Sequence, residues 1–418
     1  MKSRLILTII VIFLATPLWM RIGWEFSPKR KLNLLIVDKT VLNSNSFKHR
    51  SINWILDYEK YIKPDGSFYD INNDYFGFFP KEDEKYQIND FEKLDEPEVD
   101  SLSKVYNLAY FADTYGVLGN EWYSHRDIND NSESIYGGLT EKDLLLMKKM
   151  KSRNKPVIAE FNTIGYPTPV DMRHQFEKLW GIEWTGWMAR HIASLDTVNN
   201  PDLPKWIVRA YKKEHNGIWN FKKDGMLFIH ETGRVLVLET GKELNDAIPK
   251  IYTDKVNQEA FDVPAVMIYP YWIDIMVNKN DTNNIISKYV LGTNPAGEAL
   301  LSANGIPKIF PAIIHRNKDF QFYYFCGDFA DNPTKFRFAK LTGITTLKFL
   351  MYNAVDVTDR NRFFWEFYLP MMKKILKKSY TSICLIINNY FLALVKPRRF
   401  ISPQFLTPVI RSRFPLMA

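Results

Sequence analysis

Three short apolar runs, each followed by a helical pattern, constrain the fold of this chain most strongly. They are residues 33–38 (NLLIVD), 105–112 (VYNLAYFA) and 156–161 (PVIAEF). Short continuous apolar runs are typical of strands that are buried on both faces, as the strands of parallel sheets are. The alternation therefore predicts an α/β fold with a mostly parallel sheet and helices on both of its faces.

The segments between these runs carry helix signals. Helical patterns cover residues 46–61, 140–151 and 168–180. Gly181 is suited to end the last of these helices, because glycine readily adopts the left-handed conformation of a helix C-cap. Residues 63–100 contain turn signals and a dense run of charges, which predict an irregular surface excursion.

After residue 220 the pattern changes from alternating units to strands. Residues 226–239 predict a hairpin, and further strands are predicted in 263–325, before two helices in 342–378. This mixed α+β half either completes the first sheet or forms a second lobe. The predicted organisation is a membrane anchor at 1–32, an α/β domain at 33–220, a mixed continuation at 221–370 and a basic, apolar segment at 371–418.

The positive charge of the chain is concentrated at its two ends. The net charge is +8, yet residues 1–32 carry +5 and residues 371–418 carry +9, which leaves −6 for the body between them. A nucleic-acid-binding protein should present a basic face on its folded domain, so we exclude nucleic acid as a partner. Basic residues beside apolar segments are typical of chains held at a lipid surface.

Two apolar segments are candidates for membrane contact. Residues 5–20 contain no charge and fit an uncleaved transmembrane anchor, a cleaved signal peptide or a buried core helix. We favour the anchor, with the body of the chain outside the cytoplasm. Residues 380–395 fit either a span or an interfacial helix, since Asn388 and Asn389 are costly in lipid.

The ends of the predicted strands carry the candidate functional residues. Parallel strands bring their carboxyl ends to one edge of a sheet, where ligands bind in such folds. We expect Asp113 and Glu160 to serve as a general acid and base, because two carboxyl groups in different environments can take those two roles. The alternative is that each carboxylate caps a loop or a helix. The predicted substrate-binding residues are Asp38, Lys39, His49, Arg50, Tyr115, Asn162, Arg173 and Arg190.

Several kinds of site are excluded by the sequence. The two cysteines, Cys326 and Cys384, cannot form a cysteine-rich metal site, and the seven histidines lack metal-ligand spacing. Nucleophile-elbow, P-loop and dinucleotide-binding motifs are missing. We therefore predict no metal and no cofactor. Aromatic residues make up 15% of the chain, and most should form core, although some are suited to stack against sugar rings.

Several motifs carry a resemblance to known proteins. They are IVDKTV (36–41), HRSINWIL (49–56), DYFGFFP (74–80), LAYFADTYGV (108–117), YGGLT (136–140), IAEFN (158–162), GIEWTGW (181–187), YPYW (269–272) and GDFAD (327–331). Over residues 33–335 the chain resembles an uncharacterised family of bacterial membrane-anchored proteins. More distantly, its β–α order resembles the class I glutamine amidotransferase-like, flavodoxin-type fold.

The amidotransferase resemblance implies a fold without the family's usual chemistry. That family places a cysteine nucleophile on a sharp turn after a central strand. The matching turn here is residues 160–163, which contain no cysteine. Three functions remain open: an envelope enzyme that acts on a glycan or related polar substrate, a non-catalytic binding module, and an envelope-assembly protein.

Overall fold

The computed structural model describes residues 15–43, 46–127, 132–200 and 203–395, with side chains as far as residue 382. The chain divides into a compact unit, Met1–Tyr380, and a second unit, Thr381–Ala418. In chain order the strands are β1 Arg30–Lys31, β2 Leu34–Asp38, β3 Tyr61–Ile62, β4 Phe76–Pro80, β5 Tyr86–Asn89, β6 Leu108–Asp113, β7 Val117–Leu118, β8 Ser134–Tyr136, β9 Val157–Glu160, β10 Ile182–Ile192, β11 Gly225–His230, β12 Val235–Glu239, β13 Leu244–Thr253, β14 Val266–Ile268, β15 Ile273–Asn278, β16 Asn284–Thr293, β17 Ile309–Arg316 and β18 Phe322–Phe325.

The helices alternate with these strands in the first half. They are α1 at residues 15–26, α2 Arg50–Tyr58, α3 Glu96–Val105, α4 Gly119–Trp122, α5 Glu141–Ser152, α6 Val170–Trp180, α7 Lys205–Glu214, α8 Lys255–Phe261, α9 Pro295–Ala303, α10 Arg360–Phe363 and α11 Leu369–Val395. Short 3-10 helices cover Phe336–Phe338 and Ile344–Leu350, and a π-helical turn covers Phe364–Tyr368.

One ten-stranded sheet contains strands from both halves of the chain, in the order β14-β13-β16-β17-β18-β9-β6-β2-β4-β5. Its centre is a parallel block in which β18, β9, β6, β2 and β4 run in the same direction. The strands on either side of this block are antiparallel. The predicted α/β fold with a parallel sheet is thus confirmed in its coarse form, and the second half completes that sheet through β18.

Helices cover the parallel block as the alternation predicts. Helices α3, α5 and α6 pack side by side, and α5 also contacts β6 and β9. On α2, Trp54 packs edge-to-face against Phe364 and Trp365, which precede α11. Thr140 caps α5 by accepting a hydrogen bond from the backbone of Asp143, and Gly181 adopts the predicted left-handed conformation at the end of α6.

A smaller sheet lies in the order β12-β11-β10-β15. The predicted hairpin corresponds to β11 and β12, which pair antiparallel. One face of this sheet packs against α7, where Ile207 joins a buried cluster with Leu227 and Val237. Burial of such aliphatic side chains provides the main stabilisation of the small sheet.

The prediction for residues 63–100 is wrong in part, since this segment forms β4, β5 and α3. Strand β4 passes so close to β2 that a Cβ at Gly77 would lie 1.8 Å from the carbonyl oxygen of Asp38, so only glycine fits there. The acidic run contains a capping box, because Asp95 and Glu98 bond reciprocally to each other's backbone amides. The dense run of charges therefore includes the N-terminus of α3, which the sequence analysis did not predict.

The predicted membrane segments are only partly described. Residues 15–26 form α1, whereas residues 5–14 of the predicted N-terminal anchor lie outside the described residues. Within the described ranges, no helix has the length and the apolar character that crossing a bilayer requires. The predicted N-terminal membrane helix is therefore not supported by the described structure.

Candidate functional site

Asp38, at the carboxyl end of β2, organises the loop that follows it. Its Oδ2 accepts the backbone N–H groups of Lys48 at 2.8 Å and of His49 at 3.2 Å. The ring of His49 lies between Asp38 Oδ2, 2.6 Å from Nδ1, and the carbonyl oxygen of Ile71, 2.9 Å from Nε2. The two ring nitrogens thus each face an oxygen atom of the protein. Asp38 and His49 are fully buried and hold the loop in place.

Lys39 is a buried cation whose partners lie in the protein. Its Nζ donates to Asp143 Oδ2 at 2.6 Å and to the carbonyl oxygen of Gly138 at 2.9 Å. The side chains of Lys39 and Asp143 are 2% and 1% exposed. A buried charge of this kind is tolerated only when it is paired, so the ion pair fixes the start of α5 against the end of β2.

Asp113, one of the two predicted catalytic residues, lies buried at the carboxyl end of β6. Its Oδ1 accepts hydrogen bonds from Thr40 Oγ1 at 2.9 Å and from the backbone N–H of Tyr115 at 2.7 Å. Burial raises the pKa of Asp113 to about 7, and the nearby Lys48 opposes that shift. The carboxyl group therefore titrates near neutral pH.

The loops after β2 and β6 are hydrogen-bonded to each other. Chain connections leave β2 and β6 for opposite sides of the sheet, and such a switch point is the usual ligand site of an open α/β sheet. Here a Cβ on Gly116 would lie 1.9 Å from the carbonyl oxygen of Tyr136. Gly116 N–H also donates to Thr40 Oγ1 at 2.9 Å. Strands β7 and β8 thus lie in close contact, and the two loops at the switch point are bonded to each other.

Glu160, at the end of β9, is buried and bonded on both carboxyl oxygens. Tyr110 Oη donates to Oε1, and the backbone N–H of Ala330 donates to Oε2 at 2.8 Å. Tyr110 in turn bonds to Tyr368 Oη at 2.7 Å, just before α11. Burial raises the pKa of Glu160 well above its ordinary value. These contacts join β9, β6, the loop after β18 and the approach to α11.

The turn after β9 keeps a sharp conformation. Asn162 has φ +66°, a left-handed conformation that non-glycine residues rarely adopt, and its carbonyl oxygen accepts from Thr114 Oγ1 at 3.2 Å.

Asp274, on β15, is 1% exposed. It accepts from Tyr324 Oη at 2.8 Å, and burial raises its pKa to about 7. Asp274 is a buried acid that its strand pattern did not mark.

A cluster of four charges lies beside Asp113. Lys48 Nζ is 2.8 Å from Asp331 Oδ2 and 3.6 Å from Asp328 Oδ2. Arg360 bridges the same two aspartates, at 2.6 Å from Asp331 and 3.3 Å from Asp328. Burial favours the neutral form of Asp331, but the two cations hold its pKa below its ordinary range. Two cations and two carboxylates compensate one another, and they tie α10 to the strand ends.

Three predicted ligand-binding arginines have other positions. Arg173 pairs with Glu231 at 2.5 Å and lies over the ring of Trp184. Arg190 is on β10 of the small sheet, where it lies over the ring of Trp272. Arg50 is the first residue of α2 and is half-buried. The structure thus brings together Asp38, Lys39, His49, Asp113, Tyr115, Glu160 and Asn162, and it places Arg173 and Arg190 against the small sheet.

A large cleft lies over the carboxyl ends of β2 and β4, beside these loops. We call it the carboxyl-edge cleft. Its volume is about 870 Å³, and its lining includes Leu42 and Asn43 after β2 and residues 79–83 at the end of β4. The Phe79 ring stacks on Tyr75 with 4.1 Å between their centroids. The aromatic and amide side chains that line the cleft are Phe47, Tyr75, Phe79, Trp122, Asn72 and Asn73.

The sequence identified the candidate residues at the strand ends, but it could not identify the residues to which they are bonded. Asp143, Thr40 and Arg360 are separated in sequence from the residues they bond, and only the tertiary fold brings them together. Asp328 and Asp331 follow a predicted strand, which was the one available signal for the charge cluster. In the part of the chain that the structure describes, no group of three or more His, Cys, Asp and Glu side chains is arranged to hold a metal ion.

Comparisons with known proteins add little to this geometry. No family model matches the chain, and no curated protein matches it. A solved structure with some likeness is that of a ThuA-like protein from Bacteroides uniformis ATCC 8492. It is 8% identical in sequence, the match covers 76% of this chain and 91% of that one, and the TM-score is 0.34. A TM-score this low supports no inference about fold or function.

Proposed function

We propose that this chain is a binding protein that holds a glycan segment, or a related polar ligand with rings, in the carboxyl-edge cleft. The observation that carries the proposal is the cleft itself, with a volume of about 870 Å³ at the carboxyl ends of β2 and β4. That volume is within the range of small-molecule binding sites. Its position agrees with the rule that ligands bind beyond the carboxyl ends of parallel strands.

The lining supplies both kinds of contact that a sugar needs. The ring of Phe79, which stacks on the buried Tyr75, and the indole of Trp122 offer apolar surface, against which the C–H face of a pyranose packs. The exposed amides of Asn72 and Asn73 each offer a donor and an acceptor for hydroxyl groups. Lys81 and Lys85 also line the cleft together with Glu82 and Asp83, so its charged side chains balance and the cleft favours a ligand without a large net charge.

Binding is favoured over acid/base catalysis because the two predicted catalytic carboxyls lie elsewhere. Neither Asp113 nor Glu160 lines the cleft. Glu160 is bonded on both oxygens, and Asp113 is buried with its Oδ1 bonded to Thr40 and to the backbone of Tyr115. A general acid must reach the atom it protonates within about one hydrogen-bond length or through one water.

The experiment is a titration of the full chain with purified envelope glycan fragments and with chitotetraose, followed by Trp fluorescence and calorimetry. We expect saturable binding that Phe79→Ala weakens roughly tenfold or more, because a ring that anchors a ligand is typical of a binding hot spot. The matched control is Phe349→Ala, since Phe349 is 61% exposed and lies outside the cleft. Equal affinities of all three proteins, or no binding to any fragment, would remove the cleft from the account.

A second candidate function is an enzyme that uses Asp113 as a general acid. The observation in its favour is the pKa of about 7 that burial imposes on Asp113, which is the range a general acid needs. Asp113→Asn would then abolish turnover of a glycan fragment while leaving its binding unchanged. Retained turnover in Asp113→Asn, or an absence of turnover in the native chain, would dismiss this candidate.

We also propose that the chain works at a membrane, with its folded body outside the cytoplasm. The support is the concentration of positive charge at both ends of the chain and the uncharged run at residues 5–20. Separation of membrane and aqueous fractions, with protease added to intact cells, tests both parts. Recovery of the full chain in the cytoplasmic fraction would contradict the proposal.

A further inference from the structure

Two cavities lie at the opposite edge of the sheet from the carboxyl-edge cleft. The first, which we call the amino-edge groove, has a volume of about 490 Å³ and reaches from Arg30, before β2, to Lys377 on α11. The second has a volume of about 710 Å³ and lies where β17 ends and β18 begins. Lys374 lines both cavities, so they are neighbours.

The amino-edge groove carries an excess of positive charge. Its lining contains two carboxylates, Glu59 and Asp262, and five cations. Glu59 is already engaged, since its Oε2 lies 2.6 Å from Arg30 and its Oε1 lies 2.8 Å from Lys373. The lining therefore has a net charge of +3. The five cations are Arg30, Lys348, Lys373, Lys374 and Lys377.

The neighbouring cavity adds a polar group that lacks a partner. His315 lines it and is 5% exposed, and its Nε2 has no hydrogen-bond partner among the described residues. The imidazole stacks on Tyr323, with 4.3 Å between the ring centroids. Buried polar groups in native structures are normally bonded, so an unpartnered ring nitrogen at a cavity wall points to a polar ligand. Lys378 lines the same cavity and adds a further cation.

Exposed apolar side chains lie on the elements next to the groove. On α1, Leu18 is 60% exposed and Trp19 is 64% exposed. Helix α1 is held to the segment before the groove, where the backbone N–H of Thr342 donates to the carbonyl oxygen of Met20 at 3.1 Å. Phe349 directly follows Lys348 of the groove and is 61% exposed. Cations beside exposed aromatic rings are typical of surfaces that rest on lipid, because the rings enter the interface while the cations meet headgroups.

We infer that the amino-edge groove binds the phosphate headgroups of anionic membrane lipids. The body then rests on the bilayer by its amino edge, and the carboxyl-edge cleft faces away from the membrane. The site shares no lining residue with the carboxyl-edge cleft, so it goes beyond the proposed binding function and can fail independently of it. The exposed aliphatic side chains of Leu18 and Leu350 beside these rings favour lipid, because they can enter the bilayer interface, whereas nucleic acid offers them no apolar layer.

The inference is tested by vesicle flotation of the full chain at two lipid compositions. One set of vesicles is phosphatidylcholine alone, and the other contains phosphatidylglycerol as well. The test variant is Lys348→Gln with Lys374→Gln and Lys377→Gln. The matched control neutralises three exposed lysines that line neither cavity: Lys93, Lys178 and Lys213.

We expect the native chain to prefer anionic vesicles and to lose that preference as salt rises, since the attraction is screened within a Debye length. The groove variant should lose on the order of 100-fold in affinity for anionic vesicles, from about fivefold for each lysine near the surface. The control should keep the native preference. Comparison of the groove variant with the control variant at each composition cancels the binding that the rest of the chain contributes, since each variant loses three lysines.

Three outcomes would overturn the inference. The groove variant could keep the native preference for anionic lipid, or the control variant could lose it to the same extent. Alternatively, the same three substitutions could abolish binding of a short RNA while leaving vesicle binding unchanged, which would assign the groove to a nucleic acid. Circular dichroism and thermal unfolding of each variant separate a binding defect from a folding defect.

Discussion

The two edges of the parallel block use charge in opposite ways. At the carboxyl edge, Asp38, Lys39 and Glu160 are buried, and each is bonded to a named partner within the protein. At the amino edge, Lys374 is exposed and lines a groove whose lining has a net charge of +3. Charges that are buried and paired hold loops together, whereas exposed charges of one sign remain available to a partner.

The contrast shows why a polar residue at a strand end is a weak sign of a site. A loop that folds over strand ends must satisfy its own backbone groups, and carboxylates do this well because each can accept several hydrogen bonds. Asp38 serves four donors from residues 40, 48 and 49 in this way. The space that remains for a ligand lies to one side, in the carboxyl-edge cleft.

Among the substitutions that test this contrast, replacement of Lys39 should cause the largest loss of unfolding free energy. Replacement by methionine leaves Asp143 buried without its cation, and breaking a buried pair in this way costs about 3–5 kcal/mol of unfolding free energy. The measurement is chemical denaturation at pH 7. The matched control is Lys308→Met, which removes an exposed pair with Glu298 and should cost less than about 1 kcal/mol. Equal losses of unfolding free energy in the two variants would contradict a structural role for Lys39.

The next effect is a dependence of stability on pH that arises from Asp274. Its pKa is about 7 in the folded chain and about 4 in an unfolded one, so the folded state holds its proton more tightly. The contribution of Asp274 to the free energy of unfolding is therefore greatest below pH 4, and it falls as the pH rises towards 7. Between pH 5 and pH 8 the loss should be roughly 3 kcal/mol.

Asp274→Asn should remove that part of the slope while keeping an acceptor for Tyr324 Oη. Denaturation curves of the native chain and the variant at pH 5 and pH 8 measure the difference. Asp113, with a pKa of about 7, titrates in both proteins and cancels. Asp281→Asn is the exposed control and should follow the native curve. A variant whose slope equals that of the native chain would show that Asp274 is not a buried acid.

The smallest effect is expected for Glu160→Gln. A glutamine can accept from the backbone N–H of Ala330 and donate to Tyr110 Oη, so the cost should be about 1 kcal/mol or less. Glu160→Ala leaves both groups without a partner and should cost several times more. Ligand affinity at the cleft should be unchanged in Glu160→Gln. Loss of binding with native stability would instead restore the predicted functional role of Glu160.

Local patterns were sufficient to predict β2, β6 and β9 and the helices that follow them. The apolar runs that became β2, β6 and β9 are continuous, and the caps at Thr140 and Gly181 are specific signals. The same patterns failed at β4, whose glycine fits against Asp38 only because the two strands are neighbours. Close approach between strands is a tertiary property that no local window contains.

The candidate site was predicted less well than the fold, for a physical reason. A strand-end carboxylate looks the same in sequence whether it holds a loop or meets a ligand. The distinction depends on partners that are distant in the chain, such as Asp143 for Lys39 and Ala330 for Glu160. The amino-edge groove likewise joins Arg30 to Lys374, and only the positive charge of both chain ends hinted at it.

The central claim is that a glycan binds at the carboxyl edge and anionic lipid at the amino edge. Hydrogen exchange of the full chain, measured by mass spectrometry, tests this claim most directly. The chain is compared alone, with a glycan fragment that binds, and with phosphatidylglycerol vesicles. The account predicts that the glycan protects residues 72–85 and that the vesicles protect residues 345–350 and 369–378. Protection of the same segments by both ligands, or of the turns at residues 113–116 and 160–163 by the glycan, would contradict it.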